Sequence, residues 1–183
     1  MTQFLHGVEV IEIDDGSRPI QTVKSAVIGL VGTAPAAASA VKSVLQLGSE
    51  VLNDGLVFTA KTAGTEGDAI SVEVVNPLAA DTVLEVTVDG SKIKISLATD
   101  TNKAITSTAT EVKTAIEAKA EATALVSVDV LGDGTGDVAP ATRTYLDGGE
   151  NEPFPLYKPV AVAGSRKRAE GLGLEGTLPA AID

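Results

Sequence analysis

Alternating apolar and polar residues predict a series of short β-strands in the middle of the chain. Six segments carry this pattern or a short apolar run: Leu56–Ala60, Ile70–Val75, Val83–Val88, Ile93–Ala98, Leu125–Val130 and Thr144–Leu146. Asp89-Gly90 lies between the third and fourth segments and is a strong hairpin signal, because a tight hairpin turn needs residues that accept positive φ. The pattern therefore predicts a small, mainly antiparallel sheet.

The hairpin around Asp89-Gly90 is expected to have one face buried against the core and one face exposed to solvent. The apolar positions, which should face the core, are Val83, Leu84, Val86, Val88, Ile93, Ile95 and Leu97. The polar positions, which should face water, are Glu85, Thr87, Lys92, Lys94 and Ser96.

A helix is predicted after this hairpin. Ser107 or Thr108 can cap it, and Glu111, three residues after Thr108, completes a capping box. The apolar stripe that should pack on the sheet consists of Ala109, Val112, Ala115 and Ile116. One helix packed on a small, mainly antiparallel sheet makes an α+β unit.

The beginning of the chain is predicted to hold two strands separated by a turn. Val8–Ile13 alternates, but its phase slips midway, which indicates a bulge or a strand sandwiched between layers. Asp14-Asp15-Gly16-Ser17 is a turn signal, and Arg18-Pro19 keeps the following residues extended. Val23–Val31 is a nearly continuous apolar run, typical of a strand covered on both faces.

The end of the chain is predicted to be extended and then helical. Phe154–Pro159 is stiffened by prolines, and Val160–Ala163 is a short strand. Ser165–Leu172 is predicted to be a helix, and Thr177 caps a second one. Because the chain stops inside that last turn, we expect the sequence to be truncated or completed by another chain.

These patterns divide the chain into three parts. Residues 1–36 form an N-terminal arm and a first strand, residues 37–149 form the α+β unit, and residues 150–183 form a return segment. The Ala- and Ser-rich stretch Ala34–Ser43 is expected to be a linker that turns helical toward Leu47.

Composition restricts the core and the cellular setting. Hydrophobic residues make up 44% of the chain but aromatic residues only 3%, so the core must be built from Val, Ile, Leu and Ala. The absence of Cys excludes disulfides, thiolate metal sites and cysteine nucleophiles. No apolar run approaches the roughly 20 residues that span a bilayer, and the polar start is unlike a signal peptide. We therefore expect a soluble protein made and assembled in a cytoplasm.

The formal net charge of the 183 residues is −11, and nearly all of it lies in one central block. Residues 50–150 hold 17 acidic and 7 basic residues, whereas the remainder holds 8 and 7. An acidic block disfavours nucleic acid, whose phosphates attract Lys and Arg. The basic cluster Arg166-Lys167-Arg168 is explained as well by a solvated helix face.

No group of residues in the sequence predicts catalysis or a bound cofactor. His6 is the single histidine and has no local nucleophile or orienting group, so it is interpreted as a structural or interface residue. Gly132–Asp137 resembles part of a Ca²⁺ loop but lacks the 12-residue ligand spacing. Gly64–Asp68 lacks the Gly-Lys-Ser/Thr of a phosphate loop. Both are predicted to be turns, and neither an enzyme nor a metal or cofactor site is expected.

The two ends of the chain resemble the tail sheath proteins of contractile phages. Phe4–Pro35 fits the opening of that family, in which HGVxVxEI, a Gly-x-Arg-x-Ile turn and AVIGLVGTA occur in this order. Phe154–Val160 fits FPLxKPV, and Gly176–Asp183 fits GTLxxAID. The acidic α+β unit would then be a domain inserted between two sheath-like α/β segments. The unit itself resembles a module of phage structural proteins in GTEGDAISVEVV, ITSTATEVKTAIEA and LDGG.

The resemblance implies a structural function. Sheath subunits stack as rings around the tail tube, and their extended arms add strands to the sheets of neighbouring subunits. Val8–Ile13 would be the arm strand and Asp14–Thr22 its connector. The residues that would contact the neighbouring subunit are Val8, Val10, Ile11, Ile13 and Arg18.

The resemblance also implies partners and a location. Other sheath subunits would be partners in a helical stack of rings, and the tail tube and baseplate would be reached through the family's C-terminal domain, which is missing from these residues. No direct contact with nucleic acid or membrane is expected. The protein would be part of the virion tail, assembled in the host cytoplasm, and its contraction would drive DNA delivery. An alternative is a binding or adhesion module on the virion surface, carried by the inserted domain.

Overall fold

A computed structural model describes residues 29–155, 157–160 and 171–182. The chain divides into two compact units, residues 1–31 and 32–183, and every element named below belongs to the second. The predicted strand Val8–Ile13 and most of Val23–Val31 lie outside the described residues. The same holds for most of the predicted segments Val160–Ala163 and Ser165–Leu172.

The described residues form an α+β fold, as the sequence predicts. Their strands are β1 (Val44–Leu47), β2 (Gly55–Ala60), β3 (Ser71–Val75), β4 (Glu85–Asp89), β5 (Lys92–Ser96), β6 (Val126–Leu131) and β7 (Ala141–Tyr145). Their helices are α1 (Ala109–Glu117), α2 (Ala120–Leu125) and α3 (Thr177–Ile182), together with a 3₁₀ helix at Thr65–Ala69.

The strands form two sheets, where the sequence predicts one. The first sheet has the order β1-β2-β6 and is antiparallel. The second has the order β4-β5-β3-β7, and within it β3 runs parallel to β5 while the other pairs are antiparallel. A bridge between Val44 and Asp147 connects the edge of β1 with the residues that follow β7.

The hairpin predicted at Asp89-Gly90 is confirmed. β4 and β5 pair antiparallel on either side of it, and Gly90 has a φ of 60°. Val86, Ile93 and Ile95 are buried, and the polar residues that alternate with them are exposed or half-buried. The prediction that Val83 is buried is wrong, because this residue lies in the loop before β4 with 79% of its surface exposed.

The capping box predicted for α1 is also confirmed. The Thr108 hydroxyl accepts a hydrogen bond from the Glu111 amide at 3.3 Å, and the Thr108 amide donates to the Glu111 carboxylate at 3.0 Å. Ala109, Val112 and Ile116 are buried, as their spacing predicts. The helix packs on β6, β2 and β4 and so closes the space between the two sheets.

Two elements depart from the sequence prediction. Val44–Leu47, toward which the Ala34–Ser43 linker was expected to turn helical, is instead the edge strand β1, and its Val44 pairs with Thr59 of β2. The short helix α2 was not predicted, and it buries only Ala122. Both elements are too short to show a clear periodicity of their own, so their form depends on the partners that they pack against. The helix predicted from Thr177 is confirmed as α3.

An aliphatic core fills the space between the sheets and α1. Phe58 and Leu56 of β2 are fully buried, and Ile93 and Ile95 of β5 meet them from the other sheet within the same cluster. Val, Ile, Leu and Ala supply nearly all of the remaining core, as the composition requires.

Strand directions place the connecting loops at two opposite ends of the fold. β1 leads away from the Val44–Asp147 bridge, β2 returns toward it, and β6 leads away again. In the second sheet β7 ends beside this bridge, and β3 starts there because Ser71 pairs with Tyr145. Four connections therefore share the end opposite the bridge, and we call them the distal loops: residues 48–54, 76–84, 97–108 and 132–140.

Candidate functional site

Backbone hydrogen bonds join the chain segments that lead into and out of the two sheets. The Val44 amide donates to the Asp147 carbonyl at 2.8 Å, and the Asp147 amide donates back at 3.1 Å. Val41 and Glu150 repeat this exchange at 2.8 and 3.2 Å. We call this paired region the neck.

The pairing continues further from the sheets. The Ala38 amide donates to the Gly171 carbonyl at 2.7 Å. The Thr33 amide donates to the Thr177 hydroxyl at 3.0 Å, and the Leu178 amide donates to the Thr33 carbonyl at 3.0 Å. The chain therefore enters and leaves the two-sheet body at one place, and residues 33–41 lie beside Glu150, Gly171 and Thr177.

Ser43, between the two hydrogen-bonded pairs of the neck, packs closely against Gly67 of the 3₁₀ helix. The Ser43 side chain is fully buried, and its hydroxyl has no hydrogen-bond partner among the described residues. A Cβ added to Gly67 or to Gly149 would press on this hydroxyl. The Gly149 amide donates to the Asp68 carboxylate at 3.0 Å, so the 3₁₀ helix is held from both sides.

At the opposite end, hydrogen bonds join the first and last distal loops. The Gly136 amide donates to the Asn53 carbonyl at 3.0 Å, and the Asp133 amide donates to the Asn53 side-chain oxygen at 3.2 Å. Asn53 has a φ of 57°, a conformation that Asn tolerates better than most residues. Within the first loop, the Asp54 carboxylate accepts from the Ser49 amide at 2.8 Å.

The other distal loops join the same layer. The Val138 amide donates to the Ser107 carbonyl at 2.9 Å, which connects loop 132–140 with loop 97–108. The Asp81 amide donates to the Asp100 carbonyl at 3.1 Å, and the hydroxyls of Thr82 and Thr99 lie 2.7 Å apart. The four distal loops thus form one continuous hydrogen-bonded layer.

Between residues 41 and 150, the most exposed apolar side chains belong to this layer. Within residues 41–150, the four large apolar side chains with the greatest exposure are Val51 at 90%, Val83 at 79%, Leu78 at 71% and Leu52 at 68%. All four belong to distal loops. The next in order, Tyr145 at 55%, lies near the neck.

Left-handed backbone at non-glycine residues is concentrated in the same place. Within residues 41–150, positive φ values at such residues occur at Asn53, Leu78, Asp81 and Lys103, which all lie in distal loops. Leu78 is the most unusual, because a bulky side chain is disfavoured in this region of φ and ψ. The Asn76 side chain accepts a hydrogen bond from the Leu78 amide at 2.9 Å and helps to hold this conformation.

The distal loops carry a strong negative charge. They contain six acidic residues and one basic residue, Lys103. Hydrogen bonds from the Thr135 side chain and backbone hold the pKa of Asp133 below its usual value, so this carboxylate stays ionised. The ion pairs found among the described residues involve Lys113 and Arg143 and leave the distal carboxylates unneutralised.

Two segments with a superficial likeness to ligand-binding loops have no ligand-binding form. Gly132–Asp137 is a loop that packs on Asn53 and on the start of α1, as predicted. Gly64–Asp68, predicted to be a turn, is instead the N-cap and the first four residues of the 3₁₀ helix. In the described part of the chain, His, Cys, Asp and Glu do not cluster in threes as a metal ion would require. No helix in that part combines the length and apolar character needed to cross a membrane.

The remaining predicted residues lie outside the described part. They are His6, the basic cluster Arg166-Lys167-Arg168, and the predicted contact residues Val8, Val10, Ile11, Ile13 and Arg18. The distal apolar residues were missed by the sequence analysis. Their signal in the sequence is an apolar residue next to turn-forming Asn, Asp or Pro, as in Leu52-Asn53-Asp54 and Asn76-Pro77-Leu78.

Comparison with known proteins gives one short similarity. The chain is 72% identical over 32 residues to the tail sheath protein of Burkholderia phage BcepMu. This match covers 18% of the chain and 7% of that protein, so the chain spans only a small part of its relative. No protein-family model matches the chain, and no solved structure matches it.

Proposed function

We propose that this chain is a structural subunit, or part of one, of a contractile phage tail sheath. The observation that carries the proposal is the 32-residue stretch at 72% identity to a phage tail sheath protein. Identity of this level over a short stretch supports a relationship to tail sheath proteins in general. The steps beyond it, which are ring assembly, strand exchange and contraction that delivers DNA, rest on the resemblance of the chain ends to that family.

The neck supports the proposal that the α+β unit is an insertion. In this proposal residues 1–36 are the arm and first strand, residues 37–149 the inserted domain, and residues 150–183 the return segment. An insertion needs chain ends that lie close together. The paired Val41 and Glu150 meet this requirement, since their backbones exchange two hydrogen bonds.

The partners in this proposal are other sheath subunits, the tail tube and the baseplate. Val8, Val10, Ile11, Ile13 and Arg18 would contact a neighbouring subunit through strand addition, in which backbone hydrogen bonds supply most of the adhesion. The tube and baseplate would be met by the tube-facing domain of the sheath family. The protein would act without catalysis, in the virion tail, after assembly in the host cytoplasm.

Electron microscopy of particles that contain this chain tests the proposal. An antibody against residues 41–150 should label the outside of a tail at regular intervals along its length. Label on no particle would contradict the proposal. A matched variant in which residues 42–149 are replaced by a short Gly-Ser linker should still assemble, because the neck already brings Val41 and Glu150 together.

A second candidate function is a binding or adhesion module of the virion, carried by the inserted domain. The clustering of exposed apolar side chains in the distal loops, at the end opposite the neck, favours it. Label confined to a tail tip or fibre would support this candidate over a sheath subunit. The variant that lacks residues 42–149 would then assemble normally but fail to attach to its host.

A further inference from the structure

The distal loops combine exposed apolar groups with a rigid backbone. Lone exposed apolar residues are common on protein surfaces and need no explanation. Here, however, the four most exposed large apolar side chains of residues 41–150 all belong to one hydrogen-bonded layer. Val51 and Leu52 are neighbours in one turn, and adjacent exposed apolar groups are typical of interaction surfaces.

The turn that presents Val51 and Leu52 is held by two internal hydrogen bonds and by one close packing contact. The Leu52 amide donates to the Ser49 hydroxyl at 3.3 Å, and the Asn53 amide donates to the Glu50 carbonyl at 3.1 Å. Gly136 lies against the Leu52 carbonyl, where a Cβ would not fit. A surface that is already ordered loses little conformational entropy when a partner binds.

Charge selects the chemistry of the partner. Glu50, Asp81, Asp133 and Asp137 are all exposed in the distal loops. Nucleic acid and anionic membranes would be repelled, because their own charges are negative. A protein surface with Lys or Arg around an apolar centre would be attracted, and interfaces commonly have an apolar centre with a polar rim.

We propose that the distal loops are a docking surface for a protein whose contact surface has an apolar centre rimmed by Lys and Arg, with Val51 and Leu52 as the anchors. This inference deepens the second candidate function and rests on residues 37–149 being an inserted module. It does not depend on the chain being a sheath subunit. These anchors would supply most of the affinity, while the carboxylates would set orientation and exclude acidic surfaces.

Calorimetric titration of the full chain with three synthetic peptides tests the proposal. The first repeats Leu and Lys so that an apolar face is bordered by cations, the second repeats Leu and Glu, and the third repeats Ser and Lys. The unaltered chain should bind the Leu–Lys peptide, and its affinity should fall as salt is added, since exposed charges are screened. Equal binding of the Ser–Lys peptide would show plain charge attraction and overturn the proposal, as would binding of the Leu–Glu peptide or of none.

Substitution of the anchors localises the binding. The double variant V51S/L52S should bind the Leu–Lys peptide about tenfold or more weakly, as expected for anchor residues. The matched control is Leu174→Ser, which removes a side chain of 94% exposure outside the distal loops and should leave binding unchanged. An unchanged affinity in V51S/L52S, or an equal loss in Leu174→Ser, would overturn the assignment.

Neutralisation of the rim separates charge from apolar contact. The double variant E50Q/D133N should bind the Leu–Lys peptide several-fold more weakly at low salt and equally at high salt. Backbone amide chemical-shift mapping should place the peptide on the distal loops, and shifts centred on the neck would refute the proposal. Because these measurements use no phage particle, their failure is distinct from failure of the sheath proposal.

Discussion

The packing around Ser43 makes a quantitative prediction about the neck. In Gly67→Ala the new Cβ presses on the Ser43 hydroxyl and lies 2.9 Å from the Ala60 Cβ. Both neighbours are buried and cannot move away freely. Overpacking of this kind typically costs about 1–3 kcal/mol, so we expect Gly67→Ala to lower the free energy of unfolding by about 2 kcal/mol.

Ser43→Ala should behave in the opposite way. This variant removes a buried hydroxyl without a hydrogen-bond partner, and such groups cost about 1–3 kcal/mol to bury. Alone it should be neutral or stabilising. In the double variant the clash is partly relieved, and the coupling between the two changes should be at least about 0.5 kcal/mol, as for residues in contact.

Urea unfolding followed by far-ultraviolet circular dichroism measures these differences. With a slope of roughly 1–3 kcal/mol per molar urea, a loss of about 2 kcal/mol shifts the midpoint by about 1 M. Gly90→Ala is the matched control, since its Cβ meets nothing within 4 Å and its cost comes from a φ of 60° alone. A neutral Gly67→Ala, or coupling of Ser43→Ala to Gly90→Ala as large as to Gly67→Ala, would refute the packing argument.

Four further changes test other parts of the structure. Thr108→Ala removes the cap of α1 and should lower the unfolding free energy by about 1 kcal/mol in urea titrations. Phe58→Ala empties the centre of the core and should cost about 3–5 kcal/mol in the same assay. Leu78→Gly relieves a left-handed backbone worth about 1–2 kcal/mol but adds flexibility worth about 0.5–1 kcal/mol, so the melting temperature should stay level or rise slightly. Thr135→Ala removes the main hydrogen bond that lowers the pKa of Asp133, so carboxyl NMR titration of this variant should show a higher Asp133 pKa. In the unaltered chain, the stability that the lowered pKa provides is fully present above the ordinary Asp pKa. It is lost as the pH falls through the folded-state pKa of Asp133.

The sequence predicts best the elements whose own residues determine them. Asp89-Gly90 specifies a hairpin because its turn geometry is local, and Thr108 with Glu111 specifies a helix start for the same reason. β1 was missed because Val44–Leu47 is short and exposed on one side, and it becomes a strand only by pairing with β2 and with Asp147. The parallel pairing of β3 with β5 depends on contacts between residues far apart in the sequence. The hydrophobic periodicity within one segment does not predict such contacts.

The candidate surfaces were predicted less well than the fold. The sequence resemblance directs attention to Val8–Ile13, which lies outside the described residues, and no pattern in the sequence reveals that the distal loops share one end. That shared end follows from strand order and direction. Leu78 illustrates the limit, because its exposure and its left-handed backbone depend on Asn76 and on Thr99, whose hydroxyl donates to the Ala79 carbonyl.

The neck also determines how the fold would respond to tension. A force that pulls Thr33 and Thr177 apart acts first on the hydrogen bonds between these residues, then on Ala38–Gly171, and only later on the pairs beside β1. These hydrogen bonds lie one after another along the pulled segments, so the force acts on one pair at a time. The pairs would therefore break sequentially, each at low force. The rest of the two sheets is not loaded as long as the innermost pair, Val44 of β1 with Asp147, stays intact. The flanks could therefore separate and rejoin while the body that carries the distal loops stays folded.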